Sequence, residues 1–153
     1  MEKLIKKSQI LLGQSLFEVI LAIAVISIVL VTLVSVSILS LRNANYSKNK
    51  TGASRIAQET NEWLRTQRDE SWDNFSAKIL SSPVWCMPNL DWNQIGACQD
   101  GDNVVGTIFT RELRLISLSA TDIQAETKVY WSDAQGFHDV KVVTILTDWR
   151  SIE

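Results

Sequence analysis

The sequence predicts an α+β fold, in which one long N-terminal helix packs its second half on a small antiparallel β-sheet. Three observations lead there. No charged residue occurs in the 23 positions from Val19 to Leu41, and an apolar run of about 18 residues or more reads as a membrane-crossing helix. Beyond it, Ala53, Ile56, Ala57, Thr60, Trp63, Leu64 and Gln67 recur at three- and four-residue steps, which is one face of an amphipathic helix. Later, three runs (107–115, 126–131 and 140–147) are rich in β-branched and aromatic residues, the composition of strands.

The helix comes first. At ~1.5 Å per residue the charge-free run reaches about 35 Å, enough for a hydrocarbon core of about 30 Å. No proline precedes Pro83, so a single helix is expected from about Ser15 to about Arg68. Gly52 is the candidate bend, because glycine costs about 1 kcal/mol relative to alanine inside a helix. The run is flanked by Lys3, Lys6 and Lys7 on one side and by Arg42, Lys48, Lys50 and Arg55 on the other. Charge counting therefore leaves the orientation nearly balanced.

From Ser71 the helical pattern stops. Segment 71–106 reads as loop-rich, with Pro83, Pro88, Gly96, Gly101 and Gly106. Cys86 and Cys98 lie 12 positions apart in it. Facing an oxidising compartment they would pair; otherwise they are two buried thiols. Closing such a loop stabilises a fold by about 3 kcal/mol in the chain-entropy account. Asp133-Ala134-Gln135-Gly136 is the expected hairpin turn, and a sheet of three or four strands follows. Of the six tryptophans, Trp63, Trp131 and Trp149 fall in elements and are expected in the core. Trp85 and Trp92 bracket the cysteine loop, where exposure would mark a contact surface and burial would be ordinary packing.

Composition excludes several functions. With 15 Lys and Arg against 17 Asp and Glu the formal net charge is −2, so no nucleic-acid partner is predicted. One His and two Cys are too few for a zinc cluster. There is no Gly-rich phosphate loop, and His138 beside Asp139, in a strand-like and half-exposed position, is expected to be a surface residue rather than a catalyst. Asp100-Gly101-Asp102-Asn103 resembles part of a calcium loop but lacks the later bidentate acid, and is expected to be a solvated turn. No catalytic residue, no metal site and no cofactor is predicted, and the chain is not expected to be an enzyme.

The N-terminus admits three readings. A cleaved secretory signal would use Ala22-Ile23-Ala24, but the apolar run continues to Leu41 and Glu18 would sit inside the signal core. A plain signal anchor leaves Glu18 unexplained, since a carboxylate at mid-bilayer costs about 2.5–3.5 kcal/mol on insertion scales. Thirdly, Gly13-Gln14-Ser15-Leu16-Phe17-Glu18-Val19-Ile20-Leu21-Ala22 resembles the prepilin signal of type IV pilins and type II secretion pseudopilins.

That resemblance implies cutting after Gly13 by a prepilin peptidase, leaving Gln14 with a free amine and Glu18 as the fifth residue. The family often has Phe where Gln14 stands, a departure that leaves methylation of the Gln14 amine open. The implied organisation is a leader over 1–13, a membrane and filament-core helix over 14–41, its amphipathic continuation over 42–70 and an outer α+β domain over 71–153, the pilin lollipop plan. The implied location is the cytoplasmic membrane in a single pass, N-terminus inside, and later a surface or periplasmic filament. The implied partners are the peptidase, other pilin or pseudopilin subunits through the N-terminal helix, and membrane lipid before assembly. Glu18, one turn from the new amine, would set register by pairing with a neighbour's terminus. A Val-Tyr-Trp strand, an Asp…Gly turn and the closing Val-Val-Thr-Ile-Leu-Thr-Asp-Trp-Arg resemble the C-terminal hairpin of minor pilins and I-type minor pseudopilins. An uncleaved membrane-anchored surface binding module is the rival expectation.

Overall fold

The computed structural model describes the backbone of residues 5–152 and the side chains of residues 16–80 and 82–150. The chain divides into two compact units, one ending at Tyr46 and one beginning at Ser47. Helix α1, Ile5–Glu70, contributes to both.

In the first unit the helix carries an apolar surface on every side. Every described residue from Leu16 to Leu41 is exposed, and among the described residues α1 is the one helix long and apolar enough to cross a membrane. Four of its hydroxyls bond back onto the helix itself. Ser27 donates to the Ile23 carbonyl, Thr32 to Val29, Ser35 to Val31 and Ser37 to Leu33, all at 2.8–2.9 Å. Satisfied in this way, a hydroxyl can enter lipid without an unpaired donor.

The second unit is an α+β domain. Its share of α1 lays Ala53, Ile56, Ala57, Thr60 and Leu64, all buried, along one face. This is the stripe the three- and four-residue steps predict. Helix α1 runs uninterrupted through Gly52, the single helix expected. Gly52 instead marks a close approach: a Cβ there would lie 3.2 Å from the ring of Phe109.

Segment 71–106 is more ordered than its composition suggests. A second helix, α2, spans Trp72–Ser81. The Ser71 hydroxyl accepts from the Asn74 backbone N–H at its start, the role of an N-cap, and Asp73 adds an acid to the first turn. Trp72, Phe75 and Ile79 pack against or within the same apolar cluster, and that contact decides for helix over loop. Two short strands follow, β1 (Val84–Cys86) and β2 (Gln94–Ile95).

The expected three or four strands are therefore five. β3 (Thr110–Ser117), β4 (Asp122–Asp133) and β5 (Gly136–Thr147) complete an antiparallel sheet ordered β2-β1-β3-β4-β5. β3 begins later than expected because the Thr107 hydroxyl donates to the Val104 carbonyl and accepts from the Phe109 N–H, closing a turn. β4 and β5 are longer than expected, paired from Asp122↔Thr147 to Asp133↔Gly136. Ala134 and Gln135 form the two-residue hairpin loop, and Gly136 takes φ 122°, a conformation that favours glycine.

One sheet face supplies the core. Leu113, Leu115, Ile123 and Ala125 pack with Leu64, Phe75, Trp85, Met87 and Leu146. Val129, Trp131 and Phe109 pack with Ala53, Ile56 and Ala57. The alternation on β4 is strict from Ile123 to Trp131, as a sheet covered on one face requires.

Candidate functional site

Two places carry polar chemistry in an apolar setting: the start of the exposed helix, and the junction of α1, β1 and β3 around the disulfide.

Glu18 lies on α1 among exposed Leu16, Phe17, Val19 and Ile20. The helix supplies no charged residue from Val19 to Leu41, so within this stretch the carboxylate has no cation beside it. The side chains of Gly13 and Gln14, the predicted cleavage pair, lie outside the described residues.

Cys86 and Cys98 form a disulfide across 12 positions, with Cα atoms 4.8 Å apart. It joins β1 to the strand-following loop. Around it, the Cys98 N–H donates to Glu112 Oε1 at 2.9 Å, and that same oxygen accepts from the Tyr130 hydroxyl at 3.2 Å. Desolvation, then the Glu112 charge, push the Tyr130 phenol up to about 12.

Asp102 approaches the two sulfurs closely enough for the three to suggest a metal set. The sulfurs are bonded to each other, so neither is a thiolate ligand. The Asp102 carboxylate is occupied too, accepting from Gln94 Nε2 at 2.6 Å and from the Gln99 N–H at 2.8 Å. The Asp100–Asn103 stretch is a turn, as expected, but its second acid is half-buried and holds the cysteine loop together rather than facing solvent.

Arg111 is the least expected member. It is buried to 2% exposure on β3. Its Nε donates to the Met87 carbonyl at 2.8 Å and its Nη1 to Thr60 Oγ1 at 3.2 Å. Desolvation lowers its pKa, while Glu59 and Asp91 act the other way through space. Position parity alone signals it: Arg111 shares a strand face with Leu113 and Leu115.

The tryptophans sort differently from expectation. Trp85 is buried, with its Nε1–H donated to the Ser82 carbonyl, and Trp92 is half-buried, its ring tilted against Trp63 at 4.8 Å between centroids and its Nε1–H donated to Gln67 Oε1. Trp131 is in the core. Trp149 is not: it is 56% exposed because it lies past β5 in a short 3₁₀ turn, Trp149–Ile152. Its Nε1–H donates to Asp69 Oδ1, and Arg150 donates to the Asp69 carbonyl, which satisfies a carbonyl at the end of α1 that has no partner within the helix. His138 is half-exposed on β5, the strand position expected, with Nε2 3.0 Å from Asp133 Oδ1.

Compared with known proteins, the chain matches no family model, no curated protein and no solved structure.

Proposed function

We propose that this chain is a structural subunit, of the minor kind, of a type IV pilus or type II secretion-like pseudopilus. It enters the cytoplasmic membrane as a prepilin, N-terminus inside, is cut by a prepilin peptidase between Gly13 and Gln14, and then joins a filament through α1. It works by helix contact and register and carries out no reaction of its own.

The observation that carries this reading is the acid at Glu18, five residues after Gly13, at the edge of a helix surface otherwise free of charge to Leu41. A lone carboxylate in lipid is costly. That cost falls when a cation meets it, and the amine freed at Gln14 on a neighbouring subunit is such a cation. A smooth apolar helix slides along its neighbours; a buried charge pair selects one axial position. The self-bonded hydroxyls of Ser27, Thr32, Ser35 and Ser37 support the reading, since they leave the rest of the stretch free to pack against lipid or like helices.

Intact mass and N-terminal sequencing of the membrane-extracted protein test it. A mature chain starting at Gln14 is expected. A chain starting at Met1 and never recovered with other filament proteins would instead identify an uncleaved membrane-anchored binding module.

A further inference from the structure

We propose that the Cys86–Cys98 disulfide is a checkpoint for docking α1 on the sheet, and that the buried guanidinium of Arg111 transmits it. Arg111 sits where three elements meet. It belongs to β3, its Nη1 reaches Thr60 on α1, and its Nε reaches the carbonyl of Met87, the residue after Cys86. Both acceptors are neutral, and Arg111 forms no ion pair among the described residues. A guanidinium does not shed its charge, and a buried charge is tolerated only while its hydrogen bonds hold.

Those bonds depend on the cysteine loop. Thr60 accepts through an oxygen that already donates to the Ile56 carbonyl at 2.9 Å. The shorter bond goes to Met87, whose position rests on β1, a strand of three residues. The Met87 N–H returns to the Arg111 carbonyl at 2.9 Å, so the two residues hold each other. Strands this short are marginal by themselves, and the disulfide removes the freedom that would let the segment leave. With the cysteines reduced, only strand pairing and the core packing of Trp85 and Met87 hold this segment, and it opens more often. Arg111 then keeps its charge without its best acceptor, inside the contact between α1 and the sheet, and the helix face from Ile56 to Leu64 releases.

In the folding direction the two thiols give up two protons and two electrons to a disulfide oxidant, which leaves as a dithiol. A dithiol reductant runs the exchange backwards and its own sulfurs close into a disulfide. The checkpoint thus keeps the second unit open until it meets an oxidising compartment, whether or not the chain later enters a filament.

Amide hydrogen exchange over Ile56–Leu64, measured on the full chain in detergent micelles with and without dithiothreitol, tests the coupling. The Cys86→Ser, Cys98→Ser double variant stands in for the reduced chain where the bond resists the reductant. Loss of the disulfide is expected to speed exchange there by about tenfold or more in the wild type. In Arg111→Met, whose apolar side chain needs no acceptor, the same loss is expected to change exchange by less than about twofold. Equal acceleration in both proteins, or none in the wild type, overturns the proposal. Thr60→Val removes the second acceptor, and reduction is expected to open that variant more than the wild type; an equal or smaller opening overturns the proposal and decides the matter if Arg111→Met lacks a native near-ultraviolet tryptophan spectrum.

Discussion

The ring of Phe109 lies against the backbone of Gly52, so close that a Cβ at that position would fall 3.2 Å from two ring carbons. The ring cannot retreat freely, because its other side meets Trp131 edge-on at 5.7 Å between centroids and Trp131 is itself buried. Two effects then oppose each other at position 52. Alanine would gain about 1 kcal/mol of helix propensity and lose a comparable amount to overlap. Gly52→Ala is expected to leave stability unchanged to within about 1 kcal/mol, while Gly52→Leu lowers it by about 1–3 kcal/mol. Denaturant unfolding followed by tryptophan fluorescence reads both, and a stabilised Gly52→Leu protein would contradict the packing account.

Glu18 should matter for assembly and not for folding. Glu18→Ala and Glu18→Gln are expected to leave the near-ultraviolet spectrum of the second unit intact, while recovery of the protein in sheared filament fractions falls by about tenfold or more if even ~1.4 kcal/mol of pairing is lost. Undiminished recovery with either variant would remove the register role.

Asp122 ties the far end of the sheet. Its Oδ2 accepts from the Ser119 hydroxyl at 2.7 Å and its Oδ1 from the Thr147 hydroxyl at 2.7 Å. The Ser119 bond, then the Thr147 bond, hold its pKa below the ordinary 3.8. A depressed folded pKa gives stability that is present above the unfolded value and disappears as pH falls through the folded one. Amide protection at Leu118 and Asp148, whose N–H groups pair across this end, is expected to persist at pH 5 and fade below the usual carboxylate range. In Asp122→Asn it should be weaker at pH 5 and almost insensitive to acid. Identical acid profiles for the two proteins would refute the assignment.

Tyr130 offers the opposite sign. Burial first and Glu112 second push its phenol up to about 12 from 10.0, so its contribution is present below the unfolded pKa and is lost as pH rises through the folded one. Ultraviolet titration of the phenolate should show a late step that disappears in Tyr130→Phe, and Glu112→Gln should bring that step down towards 10. A late step unmoved by Glu112→Gln would mean that desolvation alone sets it.

Local pattern made much of the molecule legible. The charge-free length of 19–41, the spacing from Ala53 to Leu64 and the β-branched runs each belong to one element, and periodicity reports which face of an element is apolar. The Asp133–Gly136 turn was legible for the same reason: the hairpin register and the positive φ of Gly136 are local matters.

Tertiary contact decided the rest. α2 was hidden because ten residues are too few for a period to stand out from turn-forming Ser71, Asp73 and Asn74, and it is the shared cluster with Leu64 and Trp85 that stabilises it. β1 and β2 carry three and two residues and gain their identity only from pairing, β1 with β3 and β2 with β1. Gly52 reads in the sequence as a candidate bend and in the fold is a close contact, because the ring it faces belongs to Phe109, 57 positions along the chain. The burial of Arg111 likewise comes from acceptors supplied by Met87 and Thr60, residues that no short window of sequence places beside it. Sequence by itself therefore determined the apolar helix and the alternating strands, since each is a property of neighbours along the chain. The folded domain decided which glycine lies against a ring and which charge could be enclosed, since both depend on groups that meet only in space.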